Sequence, residues 1–81
     1  MDRVNTREIL DTIRDLPADG DVRLTRGDRV VAVALRSGCY SVTVGRMEGE
    51  QFVAAPFRPA RSLGTAGGAT RAVDAWLRGA K

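Results

Sequence analysis

Val22 to Phe57, VRLTRGDRVVAVALRSGCYSVTVGRMEGEQFVAAPF, is the stretch on which the fold turns. Large apolar residues recur at alternate positions, and Gly27-Asp28, Ser37-Gly38 and Glu48-Gly49 interrupt them where two-residue hairpin turns belong. With Ser37-Gly38 as a turn, Leu35 faces Tyr40, Val33 faces Val42 and Val31 faces Val44. Gly27-Asp28 sets Leu24 opposite Val31 and Val22 opposite Val33. Glu48-Gly49 sets Val44 opposite Val53, Val42 opposite Ala55 and Tyr40 opposite Phe57. Placed independently, the three turns send Val, Leu, Tyr and Phe to one side of a single antiparallel meander. A one-residue slip in any hairpin would turn that strand's apolar set to the other side.

The reverse side of the same meander carries Arg23, Thr25, Val30, Ala32, Ala34, Arg36, Cys39, Ser41, Thr43, Phe52, Ala54 and Pro56. A solvated sheet face usually alternates long polar side chains with its core set. This one is rich in small residues and thin in charge, so a cover is expected: a second copy in a homodimer through the open face, or a protein partner. Arg23, Arg36 and Phe52 are the partner-binding candidates on that face. Arg29, Arg46, Arg58 and Arg61 join them at strand ends and in the exit loop. Arg29 and Arg46 oppose one another across a hairpin, an arrangement an anionic partner would relieve, whether an acidic protein surface or the phosphates of nucleic acid. Phe52 is the only aromatic on the face, which argues against a base-stacking sheet.

A helix is expected on either side of the strands. Asn5, with Glu8 three residues on and Val4 and Ile9 at the staple positions, reads as a capped start. Ile9, Leu10, Ile13 and Leu16 then recur at helical spacing until Pro17 stops the run. After Phe57 the segment Arg58 to Thr65 is expected to leave the sheet, because Pro59 cannot donate to a ladder. A second helix starts between Ala66 and Ala69, with Ala69, Ala72, Val73, Trp76 and Leu77 on one stripe and Thr70, Arg71, Asp74 and Arg78 on the other. Gly79 reads as its stop. Two amphipathic helices and one apolar sheet face predict a single two-layer α+β domain over residues 1–81: a four-stranded antiparallel meander with both helices on one face, in the order α-β-β-β-β-α.

The inventory of side chains disfavours chemistry. With no His and one Cys, the His-dependent triads and soft-ligand zinc sites are out of reach, so no catalytic residue, metal or cofactor is expected. Asp11, Asp15, Asp19 and Asp21 lie on a helix surface and in a loop beside arginines, which is how a solvated face looks. Gly64 to Gly68 before a helix suggests a weak anion site from Gly67, Gly68 and Arg71, but without the Lys-Ser/Thr pair of a phosphate loop. Arg26-Gly27-Asp28 spells the adhesion tripeptide and is better read as a hairpin turn. The lone Cys39, the lack of a signal peptide pattern and the lack of a long apolar run predict a cytoplasmic protein with no membrane partner. Net charge is +3, and twelve of the thirteen basic residues are Arg. The charge is uneven: residues 1–28 sum to −2 and residues 29–81 to +5.

Two resemblances add expectations. Tyr40-Ser41-Val42, Phe52-Val53-Ala54-Ala55, Leu63-Gly64-Thr65 and Ala72-Val73-Asp74-Ala75 together resemble a plant-type AP2 DNA-binding domain, over about half the chain. The segment after Thr65 is shorter than in that family, and its Trp-bearing strands are absent. The resemblance implies double-stranded nucleic-acid binding, with Arg23 and Arg36 on the open face touching DNA. In size, lack of chemistry and its Arg-, Ala- and Gly-rich composition the chain is similar to small phage-encoded inhibitors of the anti-CRISPR kind. That likeness implies a protein that occupies a surface on a nucleic-acid machine, and it carries over no residue.

Overall fold

The structure, a computed structural model, describes residues 5–55 and 60–79. It contains α1 (Thr6–Arg14), β1 (Asp21–Arg26), β2 (Arg29–Arg36), β3 (Cys39–Glu48), β4 (Gln51–Ala54), β5 (Arg61–Leu63) and α2 (Ala66–Leu77). β1 to β4 form an antiparallel sheet in sequence order, with a helix before and a helix after the strands. The expected α+β meander is therefore the fold.

Local chemistry sets the helix ends. Asn5 Oδ1 accepts from the backbone N–H of Arg7 and Glu8 at 3.1 and 3.2 Å, which satisfies two donors that the first turn of α1 leaves open. Thr65 does the same for α2, its Oγ1 accepting from Gly68 N at 3.0 Å. Gly79, at φ 106, takes the left-handed conformation that ends α2. Thr70, expected on the wet stripe, is buried instead, and its hydroxyl donates to the carbonyl of Ala66 at 2.8 Å.

Two of the three hairpins have the expected register, with Leu24 opposite Val31, Val33 opposite Val42 and Leu35 opposite Tyr40. The third differs. Gly49 has φ 65 and occupies the first central position of its turn, so the turn is Gly49-Glu50 and Glu48 faces Gln51. Each β4 residue therefore meets a β3 residue two places later than expected, and Val53 opposes Arg46 rather than Val44. A shift of two keeps the faces, so Val53 still points to the helix side, but it stands outside the core cluster and is 40% exposed.

The other half of β3 is taken by a strand the sequence conceals. Arg61–Leu63 forms β5, with Tyr40 opposite Leu63 and Val42 opposite Arg61. The segment expected to leave the sheet thus returns to it, beside β3 and in line with β4. The expected Tyr40–Phe57 and Val42–Ala55 pairs are replaced accordingly. Pro56, Phe57 and Arg58 lie outside the described residues.

Both helices cover one face. Ile9 and Ile13 of α1, Val31, Val33 and Val42 of the sheet, and Ala69, Val73, Trp76 and Leu77 of α2 form the buried core. Trp76 Nε1 donates to the carbonyl of Gly45 at 3.0 Å, so its polar end is satisfied inside that core.

Candidate functional site

The reverse face of the sheet divides into two parts. At one end, Val30 is fully buried although the helices lie on the other side. Its cross-strand neighbours are Thr25 and Gly45. Gly45 leaves room where a side chain would stand: a Cβ there would lie 2.9 Å from Cε1 of Phe52 and 2.3 Å from the carbonyl oxygen of Val53. The Phe52 ring thus reaches across β3 toward Val30. The Arg23 guanidinium sits 5.5 Å from the ring centroid, arriving from β1 on the far side of β2. Val30, expected on the open face, belongs instead to a small second apolar cluster.

The remainder of the face is the flat part. Ala32, Ala34, Ser41 and Thr43 are half-buried, Cys39, Ala54 and Ser62 are exposed, and no described helix or loop packs over them. This shelf of short side chains adjoins the Arg23–Phe52 pair. Val53, on the other face, is the one exposed large hydrophobic residue among those described.

The candidate arginines do not gather into one patch. Arg29 and Arg46 are cross-strand partners as expected, but their side chains part. Arg29 lies over the Trp76 ring, 4.3 Å from its centroid, and donates to the carbonyl of Trp76 at 2.8 Å. Arg46 pairs with Asp28 at 3.4 Å. Arg36 donates to the carbonyls of Gly20 and Leu35 and lies 3.9 Å from Asp21. Arg61 is exposed on β5, and Arg58 lies outside the described residues. At the weak anion site, Gly67 and Arg71 are exposed, while the Gly68 N–H is directed to the Thr65 hydroxyl.

Pattern reading missed the clasp at the end of α2. Arg26, beside Arg29 on the first hairpin, donates to the carbonyl of Leu77 at 3.0 Å. Two guanidinium groups thereby meet the negative end of the helix dipole. Each residue of the Arg26-Gly27-Asp28 tripeptide has a place in the fold: an arginine in the clasp, a glycine at φ 62 in the turn, and an aspartate beside Arg46. A depression of about 370 Å³ lies beside it, lined by Arg26, Gly27, Arg29, Leu77, Arg78 and Gly79. The only signal in the sequence was two arginines flanking a turn, which does not reveal that the end of α2 packs against that turn.

Among the described residues no group of three or more His, Cys, Asp or Glu gathers, and no helix is long and apolar enough to cross a membrane. Compared with family models, curated proteins and solved structures, the chain has no significant match in any of the three.

Proposed function

We propose that this is a non-enzymatic interaction protein that works by seating the reverse face of its sheet on a partner's surface, in the manner of small cytoplasmic inhibitors. The observation that supports this is the uncovered shelf of Ala32, Ala34, Ser41, Thr43 and Ala54 beside the Arg23–Phe52 pair. Short side chains let another surface approach the backbone closely. The adjoining Phe and Arg are residue types enriched at protein interfaces. The size and lack of chemistry that the chain shares with phage inhibitors of the anti-CRISPR kind favour a nucleic-acid machine as the target.

Thr43→Arg places a long charged side chain on the shelf without touching the helix side. Immobilised wild-type protein and an Arg14→Glu control on α1 are expected to retain the same bacterial protein, and Thr43→Arg to lose it. Retention unchanged by Thr43→Arg would remove the shelf from the function. If the target is a CRISPR effector, expression of the protein restores plaque formation by a targeted phage, and Thr43→Arg abolishes the rescue. The alternative, a double-stranded nucleic-acid binder, predicts a gel shift with duplex DNA at low salt that weakens steeply as salt is added. Three of its expected arginines, Arg29, Arg36 and Arg46, already contact the protein itself, which makes the protein-surface reading the stronger one.

A further inference from the structure

The two edges of the sheet are built differently. On the β4 and β5 side the edge is broken into strands of four and three residues, and the sequence between them carries Pro56 and Pro59. Short strands and prolines are how natural sheets discourage pairing with another chain. β1 has neither device. It runs six residues, Asp21–Arg26, without Gly or Pro, and lies at the end of the strand order. The Leu35 N–H donates to the carbonyl of Gly20 at 2.9 Å, which directs the even-numbered residues of this segment toward β2. In an antiparallel ladder the alternate residues then turn their N–H and C=O groups outward, here those of Asp21, Arg23 and Thr25.

We infer that this edge pairs with β1 of a second copy of the chain, antiparallel and about a two-fold axis at Val22. The choice of register follows from parity and charge. Outward residues must meet outward residues. The register centred on Asp21 opposes two aspartates, and that centred on Arg23 opposes two arginines. The register centred on Leu24 sets Arg23 opposite Thr25. Only the one centred on Val22 sets Asp21 opposite Arg23, and by symmetry it does so twice. It joins the two five-stranded sheets into one sheet of ten strands, with both helical layers on one side. The half-buried Val22 meets its own copy at the seam, where the pair without mutual hydrogen bonds brings side chains closest. Arg23 is free to turn to this task, because its contact with Phe52 is near the outer limit for such pairs and the residue remains exposed. Asp21 is held only loosely, its carboxylate 3.9 Å from Arg36 and largely in solvent.

Charge exchange tests the pairing. Sedimentation equilibrium over a wide concentration range is expected to give a dimer for the wild-type chain. Asp21→Arg and Arg23→Asp each turn two attractive pairs into two repulsive ones and raise the dimer dissociation constant about tenfold or more. The double variant Asp21→Arg/Arg23→Asp restores it, which a merely misfolded variant would not do. A protein that stays monomeric at the highest concentration overturns the inference, as does a dimer that neither single variant weakens. Thr43→Arg, which blocks the shelf, leaves this dimer intact; a dimer that it alone disrupts would place the pairing on the reverse face and overturn the edge. Arg23 borders both the seam and the shelf, so Asp21→Arg and Thr43→Arg, each of which touches one of them alone, let either fail without the other.

Discussion

Arg29 lies on the same side of β2 as Val31 and Val33, at a position where a charge would ordinarily be expensive to bury. It is tolerated because its guanidinium stacks on Trp76 and meets a carbonyl of the last turn of α2. Arg29→Ala removes the stacking contact and half of the clasp, and is expected to cost about 2–3 kcal/mol in urea unfolding. Arg46→Ala removes only an exposed pair and should cost less than about 1 kcal/mol. Two arginines that look equivalent in the sequence thus separate once the helix is in place. Gly45 is a second such residue. A methyl group there meets the backbone of β4, so Gly45→Ala should destabilise by about 2–3 kcal/mol although its φ is not left-handed. In the sequence Gly45 interrupts an alternating run and gives no hint of Phe52 crossing it, because that contact depends on the register of the next hairpin. Ser37 is the opposite case. It holds φ 51 in the second turn, and Ser37→Asn, a residue better suited to that conformation, should raise stability by about 0.5–1 kcal/mol.

Among the elements, the hairpins show what alternation can and cannot decide. It fixed which side each strand presents, since a shift of two residues leaves every side chain on its face. It did not fix which of two turn positions Gly49 occupies, because Glu48-Gly49 and Gly49-Glu50 are both acceptable hairpin turns by composition. The choice has an energetic signature. Val53→Ala should change the unfolding free energy by no more than about 0.5 kcal/mol, since Val53 lies opposite Arg46 and outside the core. Val42→Ala should cost about 2–3 kcal/mol. A large effect at Val53 would restore the pairing with Val44. β5 escaped the sequence reading for a different reason. Three residues give too short a run for alternation to register, and the nearby Pro59 argued for a loop. The helices were legible because capping chemistry and apolar spacing agree, at Asn5 and again along Ala69 to Leu77.

For the molecule as a whole, the core is one aliphatic layer closed by a single Trp, and its centre is the β2–β3 hairpin. Amide hydrogen exchange should therefore be slowest at Ala32, Ala34, Ser41 and Thr43, whose N–H groups bond between β2 and β3. It should be fastest, among the regular elements, in α1, whose nine residues are anchored chiefly by Ile9 and Ile13. The two-layer arrangement followed from the sequence because all apolar stripes point to one solution. The burial of Val30 on the reverse face did not, because Val30, Phe52 and Arg23 come together only after four strands are in register. The clasp has a consequence in time. Arg26 and Arg29 are separated from the carbonyls they donate to by 51 and 47 positions. The first hairpin is therefore synthesised before the helix whose end it holds. A chain cut short of Trp76 would present the cationic cradle without the helix dipole that faces it, so the closing helix is what locks the first hairpin into the domain.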